Sequence, residues 1–347
     1  MRTLNLPLAC LALICVILAL MHGRESYAQA GVRNLDCSAS TTSGPSFGSI
    51  DILSPVVTAR GTLKYSCKNT GPGAGHRGWV IVCFGIGDGS GGPGSYNPRK
   101  LKHASSTDAL NYQIYQGGDL ALPWGDLAGN VGSPVAVGPR YLESGQSMTD
   151  EISMTAQLAT GQVNARPGMY TSQFTGAQTQ IGWKESSEGA SVTPASCTGL
   201  TSVGSGGFAF GVSASVTKQC YVSTSTSELN FGSVSSLGAA PVMGQSTVEV
   251  KCTNGTAYQV GLDNGSYSQG GNRYMKKTTG ADLIRYELYT NAGRSVRWGN
   301  IKDEDTYRTN TIGSGHPSVL SVYGTAFPGP TASAGDYADT VTVTLYY

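Results

Sequence analysis

The sequence predicts an all-β protein made of two tandem immunoglobulin-like β-sandwich domains, of which the C-terminal one lacks a strand. Three observations support this prediction. Apolar and polar residues alternate in short runs, motifs of the first half recur in the second half, and the two halves differ in length at their ends. Alternation with a period of two is typical of strands that bury one face, and the repeated motifs indicate a duplicated domain.

The N-terminus predicts export from the cell. Arg2 supplies a positive charge, Leu8–Leu20 form an apolar core, and Ala28-Gln29-Ala30 offers a cleavage site with small residues, which together are the pattern of a signal peptide. A membrane anchor is the alternative, but this apolar run is shorter than the roughly 20 residues that a membrane span needs. We therefore predict a signal peptide at 1–30, an N-terminal domain at 31–200 and a C-terminal domain at 201–347.

The charge balance excludes some classes of partner. The chain has 23 basic and 22 acidic residues, so nothing favours binding to nucleic acid or to an anionic membrane. Charged residues are only 13% and glycine reaches 48 residues, but Tyr, Val and Thr recur in alternating runs. This combination favours a strand-rich globular protein over a disordered one.

The second half of the chain repeats the first. Phe47-Gly48 and GTLKYSC, which ends at Cys67, correspond to Phe231-Gly232 and STVEVKC, which ends at Cys252. Further matches recur at a constant offset of 174 residues: Arg99, Asp108, Tyr112, Tyr115 and Trp124 correspond to Arg273, Asp282, Tyr286, Tyr289 and Trp298. Trp124 is therefore predicted to be a core residue, since Trp298 holds the same place in the other domain.

Six cysteines follow the predicted signal peptide: Cys37, Cys67, Cys83, Cys197, Cys220 and Cys252. An even number in an exported chain favours disulfides. Metal binding is the alternative, but the sequence has no Cys-x-x-Cys pair and no histidine at ligand spacing. Only Cys37–Cys67 and Cys220–Cys252 respect the duplication, which leaves Cys83 to pair with Cys197.

Alternating runs mark the strands. Apolar residues stand at every second position in four runs: Leu63, Tyr65 and Cys67; Ile152, Met154 and Ala156; Val248, Val250 and Cys252; Val341, Val343 and Leu345. Short strands of this kind, separated by Gly, Asn and Pro turns, are typical of antiparallel sandwiches.

The boundary between the domains has two interpretations. Thr198–Gly207 has the composition of a flexible linker. The alternating run 208–216 follows it. We favour this run as the first strand of the second domain, and the alternative is that it completes the first domain within the same chain.

The ends of the two domains differ. Tyr170 is followed by 27 residues up to Cys197, whereas only ten residues follow Tyr337. A sandwich without its last strand exposes backbone hydrogen-bonding groups and an apolar groove, which a strand from another chain can fill. Four or five side chains buried at about 1.5–3 kcal/mol each compare with a whole domain stability of roughly 5–15 kcal/mol. We therefore expect the second domain to depend on a partner's strand.

The sequence contains no recognisable catalytic pattern. His76, His103 and His316 belong to no nucleophile motif, and we expect them at the surface. The glycine-rich segment at 85–89 lacks the Gly-Lys-Ser/Thr ending of a phosphate loop, so we expect a mobile surface loop. We predict no enzyme activity, no cofactor and no metal site.

The second domain resembles a known family. Leu229-Asn230-Phe231-Gly232, Val248-x-Val250-x-Cys252, Arg273-Tyr274-Met275, Trp298-Gly299 and Gly335-x-Tyr337-x-Asp339 look like the spore coat protein U domain. The match covers essentially the whole second domain, and the first matches more loosely. The resemblance implies a subunit of archaic (Csu-type) chaperone–usher pili, and the two-domain plan is similar to that of their tip adhesins.

The resemblance also implies partners and sites. A periplasmic chaperone would lend a strand to the groove beside Val341, Val343 and Leu345, and after passage through the outer-membrane usher the next pilin subunit would replace it. Only six residues, 31–36, precede the first cysteine of the mature chain, which predicts a subunit that accepts a strand without donating one. The expected role is attachment to a host or abiotic surface and biofilm formation, from the pilus tip outside the cell.

An adhesin should bind through loops that only the first domain has. The candidates are Gly85–Pro98 and the segment 120–137, with its apolar residues Leu120, Leu122, Val131, Val135 and Val137. Exposed apolar tips would attach by hydrophobic contact, and the alternative is that these residues fold back on the sandwich. A secreted structural coat protein and a carbohydrate-binding module are the competing functions.

Overall fold

The computed structural model describes residues 34–54, 57–73, 75–130, 132–187, 196–200, 202–205, 207–223, 227–235, 240–329 and 332–347. The predicted signal peptide and Val131 lie outside these residues. Within them the chain forms strands, two 3₁₀ turns at Gly89–Gly91 and Gly176–Gln178, and no α-helix. The predicted all-β fold is confirmed. No helix among the described residues is long and apolar enough to cross a membrane.

The first module consists of two sheets around one core. Its strands are β1 (Leu35–Ser43), β2 (Ser46–Ile50), β3 (Thr58–Asn69), β4 (Gly78–Ile86), β5 (Arg99–His103), β6 (Ala109–Gln116), β7 (Val135–Leu142), β8 (Ser147–Leu158), β9 (Gly168–Phe174), β10 (Thr179–Ser187), β11 (Ser202–Ser205) and β12 (Phe210–Val216). The larger sheet has the order β1-β3-β8-β6-β5-β9-β12-β2, and the smaller has the order β11-β10-β4-β7. Neighbouring strands are antiparallel, except that β12 runs parallel to β2.

The second module has the same plan with fewer strands. They are β13 (Cys220–Val222), β14 (Val242–Cys252), β15 (Gln259–Leu262), β16 (Arg273–Lys277), β17 (Leu283–Tyr289), β18 (Pro317–Ala326), β19 (Tyr337–Ala338) and β20 (Val343–Tyr346). One sheet has the order β13-β14-β18-β17-β16-β19, and the other pairs β15 with β20. All of these pairs are antiparallel.

The alternating sequence patterns form strands that bury one face. In β3 every second side chain is buried along the whole strand, and β14 follows the same rule over most of its length. A pleated strand places successive side chains on opposite faces, so the apolar residues reach the core while Lys64 and Glu151 of the neighbouring strand pair outside it at 3.0 Å.

A shared motif lies at the centre of each module. Trp124 and Trp298 are completely buried, and their indole nitrogens donate to the backbone oxygens of Phe84 at 2.7 Å and Val260 at 2.8 Å. The prediction that Trp124 is a core residue is therefore confirmed. A buried indole N–H needs a hydrogen-bond acceptor. Each tryptophan finds one in a strand of the smaller sheet, β4 in the first module and β15 in the second.

The three predicted disulfides are confirmed. Cys37–Cys67 and Cys220–Cys252 join residues that lie directly opposite each other in paired strands, and Cys83 of β4 is bonded to Cys197.

The segment Thr198–Gly207 is not a linker between the modules. Its residues Ser202–Ser205 form β11, which pairs with β10. Gly207 packs closely against β10, because a Cβ at this position would lie 2.6 Å from Cδ1 of Ile181. The modules are joined instead by the three residues between β12 and β13, Thr217, Lys218 and Gln219.

The run 208–216 pairs with the first module, which corrects the interpretation that we favoured from the sequence. β12 lies between β9 and β2 in the larger sheet of that module. Phe208, Phe210, Val212, Ala214 and Val216 are all buried in its core. The alternative interpretation is correct for this run, and the folded first module extends to Val216.

Candidate functional site

The second module matches the first strand by strand until its sheet stops. Strands β13, β14, β18, β17, β16 and β19 follow one another as β1, β3, β8, β6, β5 and β9 do. In the first module two more strands continue beyond β9, namely β12 and then β2. Among the described residues of the second module no strand lies beyond β19, so the backbone edge of this strand is open.

The burial of equivalent side chains shows what the missing strand would cover. Tyr170 and Phe174 of β9 are fully buried next to β12, the neighbouring strand of the same sheet. Their counterparts 167 residues later are Tyr337 and Val341, and both are only half-buried. Both modules therefore carry apolar side chains at this place, and only in the first module are they fully buried.

The segment equivalent to β2 shows the same difference. Phe47 lies in β2, which pairs with β12, and it is buried. Its counterpart Phe231 lies in a segment without strand structure and is half-buried, with its ring 6.3 Å from that of Tyr286. Among the described residues, no strand pairs with this segment.

Six half-buried side chains pack on the second core, namely Leu229, Phe231, Tyr337, Val341, Val343 and Leu345. We call the surface that they form the acceptor groove, after the role that the sequence predicts for it. The predicted acceptor residues are thus brought together. Val343 and Leu345 lie in β20, opposite Leu262 and Val260, whereas Val341 precedes that strand.

A half-buried carboxylate, Asp339, lies between Tyr337 and Val341. Asp339 accepts hydrogen bonds from the Tyr286 hydroxyl at 2.6 Å and from the backbone nitrogens of Ser266 and Thr340 at 2.9 and 2.8 Å. Burial, together with the bond to Asp339, raises the pKa of Tyr286 above its ordinary value. A side chain at Gly265 would collide with this carboxylate. Asp339 is therefore held in place before any strand arrives.

The comparison with known proteins agrees with the repeat. The sequence model of the Spore Coat Protein U domain matches residues 29–177 and 207–344. The chain belongs to the Spore Coat Protein U domain family. The second matched segment begins at residue 207 and includes β12, which the fold places in the first module. The family's sequence unit and the folded unit therefore differ by one strand.

Individual relatives are more distant. Protein U of Myxococcus xanthus is 29% identical over 130 residues, which are 34% of this chain and 71% of that protein. The structure of the chaperone–tip adhesion subunit pre-assembly complex from the archaic chaperone–usher Csu pili of Acinetobacter baumannii has a TM-score of 0.47 at 18% identity, with 90% of this chain and 100% of that chain covered. The CupB6 tip adhesin from Pseudomonas aeruginosa has a TM-score of 0.36 at 13% identity, with 90% and 94% covered.

The predicted adhesive residues of the first Spore Coat Protein U module separate into two groups. Leu122 is 59% exposed and Leu120 is half-buried with a positive φ. Val135 and Val137 lie in β7, opposite Phe84 and Val82, and pack against the core. The prediction that these two valines belong to an exposed loop is wrong, because β4 offers them a free edge to pair with.

The segment Gly85–Pro98 also folds back on its module. Gly85 and Ile86 belong to β4. Tyr96 is 3% exposed, donates to the backbone oxygen of Trp124 at 2.9 Å, and lies under the guanidinium of Arg99 at 4.3 Å. The expected mobile loop over 85–89 is wrong for Gly85 and Ile86, and Gly89 is tied by its backbone nitrogen to Gln178 at 2.9 Å.

The histidines are divided between surface and module interior. His316 is exposed, as expected, and its Nε2 lies 3.2 Å from Oδ1 of Asn164 in the first module. His103 is half-buried, with its ring 4.8 Å from that of Tyr170 and its Nε2 3.2 Å from the Pro167 oxygen. Sequence reasoning missed this packing, since an isolated histidine in a polar segment gives no signal for it.

Proposed function

We propose that the protein is the tip subunit of an archaic chaperone–usher pilus, and that its second module binds a strand donated by another protein. The contrast between the two modules supports this proposal most directly. The same edge strand and groove occur twice in one chain, and the first copy is filled by β12 in the geometry that a donated strand would adopt.

The free energy of burying apolar side chains explains why the second module would need a donor strand. The segment 208–216 buries four large side chains, Phe208, Phe210, Val212 and Val216. At about 1.5–3 kcal/mol each, they contribute about 6–12 kcal/mol. This amount is comparable with the net stability of a whole domain, roughly 5–15 kcal/mol. A second module without an equivalent strand lacks this contribution, and a partner supplies it by β-augmentation.

The donor changes during assembly. A periplasmic chaperone first occupies the acceptor groove and keeps the apolar side chains from aggregating. At the outer-membrane usher, the N-terminal strand of the next pilin subunit replaces it. The subunit then stands at the pilus tip outside the cell, with its first module furthest from the fibre.

The first module would attach to a host or abiotic surface and promote biofilm formation. The exposed side chain of Leu122 and the adjoining Leu120 support a hydrophobic contact in this role. The role is one of binding and not of catalysis.

The test is expression of the mature chain with and without a partner strand. Alone, the chain should aggregate or be degraded, and with a periplasmic pilus chaperone or a synthetic donor peptide it should form a soluble complex that co-elutes in gel filtration. Val341→Asp should abolish the complex, because it places a charge in the acceptor groove. Val319→Asp is the matched control, since it makes the same substitution at a side chain that is 60% exposed on the outer face of β18, and it should leave the complex intact.

A stable monomeric chain that binds no chaperone and no peptide would contradict the proposal and favour a secreted coat protein. A glycan bound by the first module and lost on substitution of its polar loop residues would favour a carbohydrate-binding module.

A further inference from the structure

The two buried tryptophans have different aromatic neighbours. Trp124 stacks on Phe208, with ring centroids 6.3 Å apart, and Phe208 also meets Phe84 at 6.0 Å. Phe208 is 2% exposed and enters the core immediately before β12. In the first module, the segment 208–216 therefore supplies the aromatic ring that stacks on the indole of Trp124.

In the second module this ring comes from the module itself. Trp298 lies 5.1 Å from the ring of Tyr307. Two backbone hydrogen bonds fix Tyr307 against Val260, with nitrogen–oxygen distances of 2.8 and 3.1 Å. The side chain of Tyr307 packs on the second core and is half-buried.

The counterpart of Tyr307 in the first module is much smaller. Phe84 and Val260 hold equivalent places, because each accepts the hydrogen bond from its tryptophan. Val135 pairs with Phe84 where Tyr307 bridges Val260. A valine in the first module leaves room for Phe208, whereas the tyrosine in the second module occupies more of the space beside the indole. Cores tolerate exchanges that keep the total volume and resist those that add to it.

We propose that Tyr307 is a specificity-determining residue for the incoming strand, and that it requires a small residue at the strand position equivalent to Phe208. This inference rests on the proposed function. The pairing of β12 with β9, carried over to the second module, places Phe210, Val212, Ala214 and Val216 opposite Val341, Asp339, Tyr337 and Gly335. Phe208 stands two residues before Phe210, and because it stacks on Trp124, its position in the incoming strand lies beside Trp298 and Tyr307. A glycine or alanine there fits beside Tyr307, and an aromatic residue does not.

The register has a second consequence. The acceptor groove admits large apolar residues at the strand positions opposite Val341 and Asp339. It does not admit them at the strand position equivalent to Phe208, two residues before the one opposite Val341. A strand that slips by two residues brings a large side chain against Tyr307 and is rejected. Tyr307 therefore fixes the register of the strand as well as its sequence.

The experiment uses the full chain with its own strand as the donor. The mature chain is extended beyond Tyr347 by a short turn and a copy of residues 204–217, which the register places antiparallel to the open edge. Four proteins are compared, with Phe or Ala at the copied position 208 and with Tyr307 or Tyr307→Val. Thermal unfolding of the second module is followed by calorimetry, with hydrogen exchange of β14 and β18 to assign the transition.

With Tyr307 present, the alanine strand should give the higher melting temperature, by roughly 4 °C or more. With Tyr307→Val the order should reverse, because the phenylalanine then fills the space that the tyrosine leaves. Tyr307→Leu serves as a second variant if the valine protein does not fold. As a control, Ala→Phe at the copied position 214 should be equally unfavourable with either residue at 307.

The outcomes separate this inference from the function on which it rests. If none of the extended chains is more stable than the unextended one, the acceptor groove does not bind a strand, and both proposals fail. If the extension stabilises the second module but phenylalanine is as good as alanine beside the native Tyr307, only the role of Tyr307 is overturned.

Discussion

At the scale of single residues, the two modules stabilise equivalent buried arginines in different ways. Arg99 and Arg273 are both completely buried. Arg273 donates to Glu287, which also pairs with Arg297 at 3.0 Å. Arg99 donates to Gln113, and its charge is stabilised by the Tyr96 ring and by backbone oxygens, including that of Trp124 at 2.8 Å. Burial lowers the pKa of both guanidinium groups, so each depends on its fixed acceptors.

The carboxylate of Glu287 should therefore be essential to the second module. Glu287→Gln leaves the buried Arg273 without its anionic partner, whereas Arg297 keeps Asp305 at 3.0 Å, and removal of one member of a buried ion pair costs about 3–5 kcal/mol. The measurement is urea denaturation of the strand-complemented chain. Glu151→Gln is the control, because its pair with Lys64 is more than half exposed and should be worth less than about 1 kcal/mol. Equal losses in the two variants would contradict this account.

At the scale of secondary-structure elements, β12 is the strand whose partner the sequence did not identify. Its alternating pattern predicts a strand with one buried face, and this is correct. The pattern cannot say which sheet receives that face, because every half-buried strand of either module follows the same rule. By contrast, the disulfides and Trp124 were predictable, since the repeat constrained them independently of strand pairing.

The position of β12 can be tested by a charge on its buried face. Val212→Asp should destabilise the first module by several kcal/mol, because Val212 is fully buried opposite Ser172. Hydrogen exchange should show lost protection in β9 and β2 and unchanged protection in β14 and β18. Ser215→Asp, on the half-exposed face of the same strand, should change little. Lost protection in β14 instead would mean that β12 supports the second module in solution.

At the scale of the whole molecule, the short connection between the modules is reinforced on both sides. Thr217 donates from its nitrogen to Ile50 at 3.0 Å, and Thr253 donates in the same way to Gln219 at 2.9 Å. Tyr221 donates to Asp51, and the amide of Asn254 donates to the backbone oxygen of Asn164 at 2.6 Å. We expect a force between the modules to pass along the backbone from β12 through this connection into β13.

β13 has only three residues and would be easily peeled from β14. The Cys220–Cys252 bond joins the first residue of β13 to the residue directly opposite in β14. A force on Gln219 therefore reaches the longer strand β14 through a covalent bond. Replacement of both cysteines by serine should lower the force at which the second module unfolds in optical tweezers, with handles on the first module and on the bound donor strand. Stability should also fall by about 3–4 kcal/mol, the loop-closure value for a separation of 32 residues.

Removal of the Cys83–Cys197 bond distinguishes mechanical from thermodynamic support. Its separation of 114 residues predicts a loss of about 4–5 kcal/mol in the first module, which is larger than the loss predicted for Cys220–Cys252. Because this bond lies within the first module, away from the path from β12 to β14, the unfolding force of the second module should not change. If the second module unfolds at the same force with and without Cys220–Cys252, the load does not pass through β13, and the junction must transmit it through the contacts of Asn164 with Asn254 and His316.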